Sequence, residues 1–324
     1  MTPEPGNMSP ESRNRFFSSE QERLNYRKPF LWLRAKLIQT IRSFFVERGY
    51  LEVETPQLIP APAPEVHIDA VSTDAGYLHT SPELCMKRML AAGFSRIFQI
   101  SKCFRADERG ERHLPEFCLL EWYRTAIDYS ALMEECRELL LYVADHLDSD
   151  GKISYQGKEI VIKGPWKKIS VNDAFDRYAS VTLKEALEKK CFDEVIVNEI
   201  EPQLVSEGPV FLYDYPASLA ALARRKPDDP RFAERFEIYI AGLEVANGFS
   251  ELTDTKEQRA RFERELQNRL DLGKSCYPMP EKFLASLEKM PEAAGVAVGV
   301  DRLAMIFSDT SRIDDVVTFT PEEL

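Results

Sequence analysis

The sequence has little positive charge relative to its negative charge, and it lacks long hydrophobic runs. Its 324 residues include 42 Lys+Arg and 54 Asp+Glu, which gives a formal net charge of −12. The resulting field repels nucleic acid and anionic membrane surfaces. No stretch approaches the roughly 20 apolar residues that a membrane helix requires, and residues 1–27 lack the apolar core of a signal peptide. We therefore expect a soluble, cytoplasmic protein with no membrane partner.

Closely spaced cysteines and the common nucleotide-binding patterns are absent as well. The six cysteines contain no C-x-x-C pair and the four histidines are dispersed, so zinc and haem spacings are missing and the thiols are expected to be reduced. The GKS string at Gly273 to Ser275 lacks the upstream glycine of a P-loop, and there is no G-x-G-x-x-G motif. A nucleotide, if one binds, must therefore use a different fold.

The composition and the local patterns predict one folded domain behind a short tail. Residues 1–28 are rich in Pro, Ser, Glu and Arg and predict a flexible tail, which leaves residues 29–324 as the folded domain. Apolar residues at helical spacing predict a helix from Leu31 to Arg48, followed by a strand at Tyr50–Glu54. This unit is either a dimer element or an ordinary core element. Residues 128–208 have a mostly helical pattern and are interpreted as an insertion that caps or shapes a site.

The densest polar stretch is a predicted hairpin, with strands at Gln99–Ala106 and Glu116–Arg124. Because strand side chains alternate in direction, Glu121 and Tyr123 share one face, beside Arg105. Burying that face is costly unless a polar ligand pairs with its charges, so the pattern predicts a ligand that carries both a positive and a negative group. The alternative is a half-exposed sheet whose charges face water.

A predicted helix start precedes the hairpin. Ser81 and Pro82 form an N-cap followed by proline at the first helical position, which places Glu83 in the first turn. There the carboxylate either faces a bound group or only complements the helix dipole.

Two further predicted strands lie within Arg235–Glu251, where carboxylates alternate with apolar residues. The polar residues are Glu237, Glu244, Asn247 and Glu251. This alternation is typical either of an exposed edge or of a cation site with oxygen ligands suited to Mg²⁺. After these strands, Thr255 and Gln258 predict a capping box that begins a charged, solvated helix.

The last patterned stretch is Gly295–Phe307, a strand of small residues that runs into a helix. Glycines at 295 and 299 would let a flat ligand approach the backbone, and Arg302 early in the helix could meet a phosphate. A tightly packed core strand is the alternative.

Together these stretches resemble the three motifs of class II aminoacyl-tRNA synthetases. RGYLEVETP resembles motif 1, FRADERGERHLPEF motif 2 and GVAVGVDR motif 3, and the strings TSPELCMKRML and GLEVANGFSELTD narrow the resemblance to the lysyl subclass. The chain lacks the N-terminal anticodon-binding barrel of that subclass, so it resembles the shorter EpmA family, which attaches (R)-β-lysine to a lysine of elongation factor P. The resemblance implies an α+β fold, a mostly antiparallel sheet flanked by helices, in a homodimer.

The resemblance also implies a role for individual residues, with ATP as co-substrate and Mg²⁺ as cofactor. Arg105 and Arg302 would be catalytic, binding the α-phosphate with the substrate carboxylate and the γ-phosphate, respectively. Residues implied to bind the (R)-β-lysine or lysine substrate are Ser81, Pro82, Glu83, Glu121, Tyr123, Asn247, Glu251 and Ala297. In addition to the two arginines, residues implied to bind ATP are Ala106, Asp107, His113, Leu114, Phe117, Glu244, Val245 and Gly299. Glu237 and Glu244 would hold the metal.

In more detail, the resemblance implies that Phe117 stacks on adenine. It places the ε-ammonium of the substrate at Glu251 and Tyr123, and the other amino group at Glu83 and Glu121. The substrate carboxylate is already ionised, so adenylate formation requires positioning and charge stabilisation rather than a general base. What accepts the proton of the acceptor amine in the second step is left open.

Four positions depart from the synthetase pattern. Asp107 replaces a glutamate of motif 2 and Leu114 replaces an asparagine, while Ala297 replaces glycine and Ser81 replaces alanine. The methyl group at 297 would reshape the amino-acid pocket, an effect worth about 1–3 kcal/mol.

Two alternative functions remain: a related enzyme with another acceptor, such as tRNA or a metabolite, or a non-catalytic sensor of amino acid or ATP. The missing barrel and the acidic charge argue against tRNA.

Overall fold

The structure, a computed structural model, describes residue 17 and residues 19–147, 149, 151–205 and 208–324. The helices, in chain order, are α1 Glu20–Glu47, α2 Glu83–Ala91, α3 Tyr129–His146, α4 Val171–Tyr178, α5 Leu183–Glu188, α6 Phe192–Val195, α7 Glu201–Leu204, α8 Thr255–Asp271, α9 Glu281–Leu287 and α10 Val300–Phe307. The strands are β1 Leu51–Glu52, β2 Leu58–Ile59, β3 Ser72–Thr73, β4 Gly76–Leu78, β5 Arg96–Phe104, β6 Glu116–Thr125, β7 Lys152–Tyr155, β8 Lys158–Val161, β9 Lys167–Ser170, β10 Val210–Pro216, β11 Phe232–Ile240, β12 Leu243–Ser250 and β13 Ala293–Gly299. Within these ranges, no helix is both long and apolar enough to span a bilayer.

The central feature is an eight-stranded sheet with the order β1-β5-β6-β13-β12-β11-β10-β9. Its strands are antiparallel except at the two edges, where β1 pairs with β5 and β9 pairs with β10 in parallel. Helices α1, α3 and α10 pack over one face, where the rings of Phe45 and Phe98 stack at 4.8 Å and Phe45 lies 5.1 Å from Trp122. The α+β fold with a mostly antiparallel sheet is therefore confirmed.

The predicted hairpin is confirmed as β5 and β6, with somewhat longer strands than expected. Residues across the sheet fall into one row, because Glu237 pairs with Asn247, Asn247 with Ala297, and Ala297 with Glu121. This row brings together four residues that lie far apart in the sequence. The register of the four central strands therefore builds the middle of the site.

Helix α1 begins much earlier than predicted. Its start is Glu20, where the Ser19 side chain accepts a hydrogen bond from the Glu22 amide at 3.2 Å, and it continues through Pro29. Residues 20–28, which we expected to belong to a flexible tail, are therefore helical; residues 1–16 and 18 of that tail lie outside the described residues. Arg27 explains the extension, because it donates to both carboxylate oxygens of Glu323 at 2.6 and 2.8 Å.

Helix α8 differs from its prediction in two ways. Its N-cap is Asp254, whose side chain accepts from the Glu257 amide, and Thr255 is the first helical residue. The helix is also more than a solvated face, since Arg261 and Arg269 are buried. Arg261 donates to the carbonyls of Ala220 and Ala223 at 2.5 and 2.8 Å. These bonds hold a loop that borders the site.

The segment at residues 128–208 is largely helical, as predicted, apart from a hairpin formed by β7 and β8 and the strand β9. Helices α4 to α7 pack around β9 and β10 at the far edge of the sheet. Its nearest approach to the predicted site is a hydrogen bond of 3.3 Å between the Tyr239 hydroxyl and Glu201. None of its described residues lines the cavity described below, so the proposed capping role stays a prediction.

Candidate active site

A cavity of about 530 Å³ opens on the face of the sheet opposite helices α1, α3 and α10. It brings together most of the residues predicted from sequence. Those that line it are Ser81, Glu83, Arg105, Asp107, His113, Leu114, Phe117, Glu121, Tyr123, Glu244, Val245, Asn247, Ala297, Gly299 and Arg302. Four predicted residues are not part of its lining: Pro82, Ala106, Glu237 and Glu251. The loop after β10 also lines it, through residues 219–223.

Carboxylates dominate one end of the cavity. Glu121 accepts hydrogen bonds from the Ser81 hydroxyl at 2.6 Å and from the Tyr123 hydroxyl at 2.7 Å. Burial, and then the charge of Glu83, raise the pKa of Glu121 to about 7. Burial likewise raises the pKa of Glu251 to about 8, although Lys87 opposes the shift. A bound cation would favour the charged form of both groups.

Ser81 and Glu83 are positioned by the start of α2. The Ser81 hydroxyl oxygen accepts from the Glu83 amide at 3.0 Å, but the N-cap is Pro82 and the helix begins at Glu83, one residue later than predicted. The same hydroxyl donates to Glu121. Ser81 therefore connects the helix start to the carboxylate on the sheet, which an alanine could not do.

Lys87 is a site residue that sequence reasoning missed. It is only 1% exposed, and its ammonium group pairs with Glu83 at 2.5 Å and with Glu251. Burial lowers the pKa of Lys87, but the two carboxylates outweigh burial and the net shift is upward. The spacing of Glu83 and Lys87, four residues apart in a helix, was the available signal. The three carboxylates of this end and Lys87 together leave two negative charges.

Gly295 lines the cavity and makes room for the side chains beside it. A Cβ atom at this position would lie 2.2 Å from the ring of Tyr123 and 2.8 Å from Oε1 of Glu251. A Cβ at Gly299 would make only an ordinary contact of 3.6 Å with Arg302. Glycine is required at 295 because Tyr123 and Glu251 occupy the space that a side chain would need; the close approach of a ligand to the backbone there stays a prediction.

Arginines dominate the other end of the cavity. The Arg105 guanidinium lies 4.9 Å from the centre of the Phe117 ring, and its Nη1 atom is 3.7 Å from Glu108. Among the described residues, Nε of Arg105 is buried without a hydrogen-bond partner. An anion in the cavity could supply that partner.

Arg302 lies beside β12, held by Glu244 and His113. Its Nη1 atom donates to the Glu244 carbonyl at 2.8 Å and to the Glu244 carboxylate at 3.2 Å. Its Nη2 atom is 2.6 Å from Nε2 of His113. Because arginine can only donate, that imidazole nitrogen must accept. Burial, and then Arg302, lower the pKa of His113, which agrees with a neutral ring.

The two residues that depart from the motif 2 pattern, Asp107 and Leu114, lie in different environments. Asp107 lines the cavity with a φ of 61°, a left-handed conformation that aspartate tolerates better than most residues. Leu114 is 3% exposed and packs with the apolar core behind the sheet. Its side chain fills hydrophobic space where the usual asparagine would offer a donor.

The two carboxylates predicted to hold a metal differ in accessibility. Glu237 accepts from the hydroxyls of Tyr215 and Tyr239 at 2.5 and 2.8 Å and from Arg235 at 2.6 Å. Burial and the charge of Glu244 raise its pKa. Glu244 lines the cavity and is partly exposed. The described residues contain no group of three metal-ligating side chains, so this pair fits Mg²⁺ only with oxygens from a phosphate or water completing the shell.

Arg235 and Glu65 are two more cavity residues that the sequence patterns did not single out. Arg235 donates to Glu237 and to Asn247 at 3.1 Å, which orients the Asn247 amide, and also to the Leu219 carbonyl at 2.7 Å. Glu65 lies on the proline-rich loop between β2 and β3. Neither residue belongs to a periodic pattern, so only the folded chain identifies them.

Comparison with known proteins agrees with this fold. The family model of class II tRNA synthetases (D, K and N) matches residues 9–323, and the chain therefore belongs to this class. Similar proteins include the elongation factor P–(R)-β-lysine ligase of Proteus mirabilis (strain HI4320), 41% identical over 303 residues. The ligase of the same name from Haemophilus influenzae (strain PittGG) is 42% identical over 312 residues. Both alignments cover 88% of this chain and 93% of the relative. Within the class, the chain belongs to the family of these ligases.

Proposed function

We propose that this chain activates (R)-β-lysine with ATP as an adenylate and transfers it to a lysine side chain of elongation factor P. The observation that carries this proposal is the charge of the acidic end of the cavity. Three carboxylates and one buried lysine leave two negative charges, the complement of the two ammonium groups of a diamino acid. The names of the relatives supply the particular amino acid and the acceptor.

The substrate would lie along the row of residues across the central strands. Its ε-ammonium would approach Glu251, whose Oε1 atom is buried without a hydrogen-bond partner among the described residues. Its other amino group would approach Glu83 and Glu121. Tyr123 already donates to Glu121, so its hydroxyl orients that carboxylate and offers only its oxygen to an ammonium group. The Ala297 methyl group, opposite Glu121, would select the position of the amino group.

ATP would occupy the arginine end of the cavity. Phe117 offers its ring to adenine once the Arg105 guanidinium moves towards the α-phosphate. Arg302 would bind the γ-phosphate, positioned by Glu244 and the neutral ring of His113. Planar guanidinium groups suit this task because they donate two parallel hydrogen bonds to a phosphate. Val245 and Gly299 would form the wall beside the nucleotide.

Adenylate formation would then depend on alignment rather than on a general base. The ionised substrate carboxylate attacks the α-phosphorus, the bond between the α- and β-phosphates breaks, and pyrophosphate leaves. Arg105 would stabilise the charge that develops on the α-phosphate. Glu237 and Glu244 are the residues that would hold Mg²⁺, which would supply positive charge to neutralise part of the phosphate charge.

The exposed apolar residues of the first helix and strands support a homodimer. Trp32 on α1 is 69% exposed, and Val46, Leu51 and Leu58 are also exposed. A second copy could cover these side chains, as the motif 1 resemblance implies. Light scattering after size exclusion should give twice the mass of the 37.2 kDa chain at micromolar concentration. A monomer would contradict this part of the proposal.

An enzyme that modifies a translation factor would work in the cytoplasm, where we place this protein.

ATP/pyrophosphate exchange tests the activation step without any acceptor. We expect exchange with (R)-β-lysine that exceeds exchange with α-lysine. Glu251→Gln should raise the KM for the amino acid at least about tenfold with little effect on the KM for ATP, because it removes an ion pair with the substrate. Glu288→Gln, the same change at an exposed surface position, is the matched control. Absence of exchange with either amino acid in the unaltered protein would refute the proposal.

A further inference from the structure

The second step of the proposed reaction requires a proton acceptor that the residues above do not supply. As the acceptor amine attacks the adenylate carbonyl, its nitrogen becomes positive and must lose a proton. Glu83 and Glu251 pair with Lys87, Glu121 is bonded to Ser81 and Tyr123, and Glu244 is bonded to Arg302. Each of these carboxylates has a binding task.

Glu65 is a cavity carboxylate without such a task. Its side chain is half-buried and lines the cavity. Within the described ranges of the chain, its carboxylate takes part in no hydrogen bond or ion pair. A carboxylate in a partly closed cavity without a partner is costly, so a function for this group is worth seeking.

The backbone at Glu65 and just after it is held by hydrogen bonds. The Arg269 side chain donates to the carbonyls of Glu65 and Ile68 at 2.8 and 3.0 Å, and the Val66 amide donates to Glu265 at 3.1 Å. Arg269 is itself fully buried in α8. The loop therefore presents the Glu65 side chain to the cavity from a rigid support, as a positioned proton acceptor requires.

Four charged groups act on Glu65, and three of them line the same cavity. They are Glu83 at the start of α2, Arg105 after β5, Arg235 on β11 and Glu265 on α8. Arg105 is the residue that would bind the α-phosphate, next to the mixed anhydride bond that breaks during transfer. Burial, and then Glu83, raise the pKa of Glu65 to about 7, which suits proton transfer near neutral pH.

From its free carboxylate, its fixed loop and its place in the cavity that Arg105 also lines, we infer that Glu65 accepts the proton from the acceptor amine during transfer. The inference rests on the proposed function. The acceptor ammonium loses one proton to water, and the neutral amine forms the C–N bond. The C–O bond to phosphate breaks with its electron pair, AMP leaves, and the second N–H proton passes to Glu65 and then to water. An amide, AMP and two released protons complete the balance.

The test separates the two half-reactions with the full-length protein and purified elongation factor P. Activation is followed by ATP/pyrophosphate exchange, and transfer by a single turnover from preformed (R)-β-lysyl adenylate. We expect Glu65→Gln to keep exchange within about twofold and to slow transfer at least about 100-fold, a usual effect of losing a general base. Glu265→Gln removes a neighbouring charge but keeps an acceptor for the Val66 amide, so it is the matched control and should change transfer little. Glu65→Asp should recover part of the transfer rate.

The pH dependence of the unaltered protein gives a second readout that does not depend on a variant folding. Below neutral pH, the logarithm of the transfer rate should rise with pH with a slope of about two, because the acceptor amine and Glu65 must each lose a proton. Above neutral pH, where Glu65 is already ionised, the slope should be about one. Exchange should lack this change of slope. The inference is overturned if Glu65→Gln transfers within threefold of the unaltered protein, or if it lowers exchange as much as transfer. Absence of exchange in the unaltered protein would instead refute the proposed function.

Discussion

Replacing Lys87 with methionine should destabilise the protein and damage amino-acid binding. The change keeps the length of the side chain but removes an ammonium group that is 1% exposed and pairs with Glu83 and Glu251. Breaking a buried ion pair by removing one partner costs about 3–5 kcal/mol. Glu251 can reduce the cost by taking up a proton, since its pKa is already raised to about 8. We therefore expect a loss of about 3 kcal/mol in the free energy of unfolding near pH 7.

Urea unfolding at two pH values measures this effect. Without Lys87, the pKa of Glu251 rises further, because the lysine opposes the upward shift. A carboxyl with a raised pKa loses its stabilising contribution as pH rises through that value, so the deficit of the variant should be larger at pH 9 than at pH 7. Lys102→Met is the control, since Lys102 forms an exposed ion pair with Glu116. Its loss should lower the free energy of unfolding by about 0.5 kcal/mol or less.

Kinetics give a separate check on the role of Lys87. A protonated Glu251 cannot bind an ammonium group, so the KM for the amino acid should rise while the KM for ATP stays nearly constant. A Lys87→Met variant with unchanged unfolding midpoint and unchanged KM would refute the reasoning about the charge of the acidic end.

Two other predictions concern the same end of the cavity. Because burial raises the pKa of Glu121 to about 7 and of Glu251 to about 8, the ligand-free protein binds more protons than the unfolded chain above the ordinary carboxyl pKa of 4.5. Its free energy of unfolding, measured by urea titration, should therefore fall as pH rises from about 5 to 8. Over the same range the affinity for the amino acid, measured by calorimetry, should rise. If neither trend is seen, the raised pKa values of Glu121 and Glu251 are contradicted. Ala297→Gly should change the ratio of α-lysine to (R)-β-lysine exchange in favour of α-lysine by about 10-fold or more, and an unchanged ratio would exclude Ala297 as the selector.

The sequence predicted the parts of this protein that depend on local pattern. Alternation in Glu116–Arg124 correctly predicted β6 and the face that carries Glu121 and Tyr123. The strand of small residues ending at Gly299 was also predicted correctly as β13. In each case, neighbouring residues in the chain carry the information, since side-chain alternation is a property of one strand.

Features that depend on distant contacts could not be predicted in this way. The polar start of α1 resembles a tail until Arg27 is seen to bind Glu323, nearly 300 residues away in the chain. Arg269 looks like one more charge on a solvated helix, but it is buried because it donates to the carbonyls of Glu65 and Ile68. The need for glycine at 295 likewise comes from distant residues, because Tyr123 and Glu251 fill the space that a side chain would take.

The most direct test of the proposed function is the intact mass of elongation factor P after incubation with this protein, ATP and (R)-β-lysine. We predict a mass increase of one lysyl residue, located by peptide fragmentation on a single lysine side chain, and no increase when ATP is omitted. An unchanged mass, under conditions where (R)-β-lysine supports ATP/pyrophosphate exchange, would contradict elongation factor P as the acceptor.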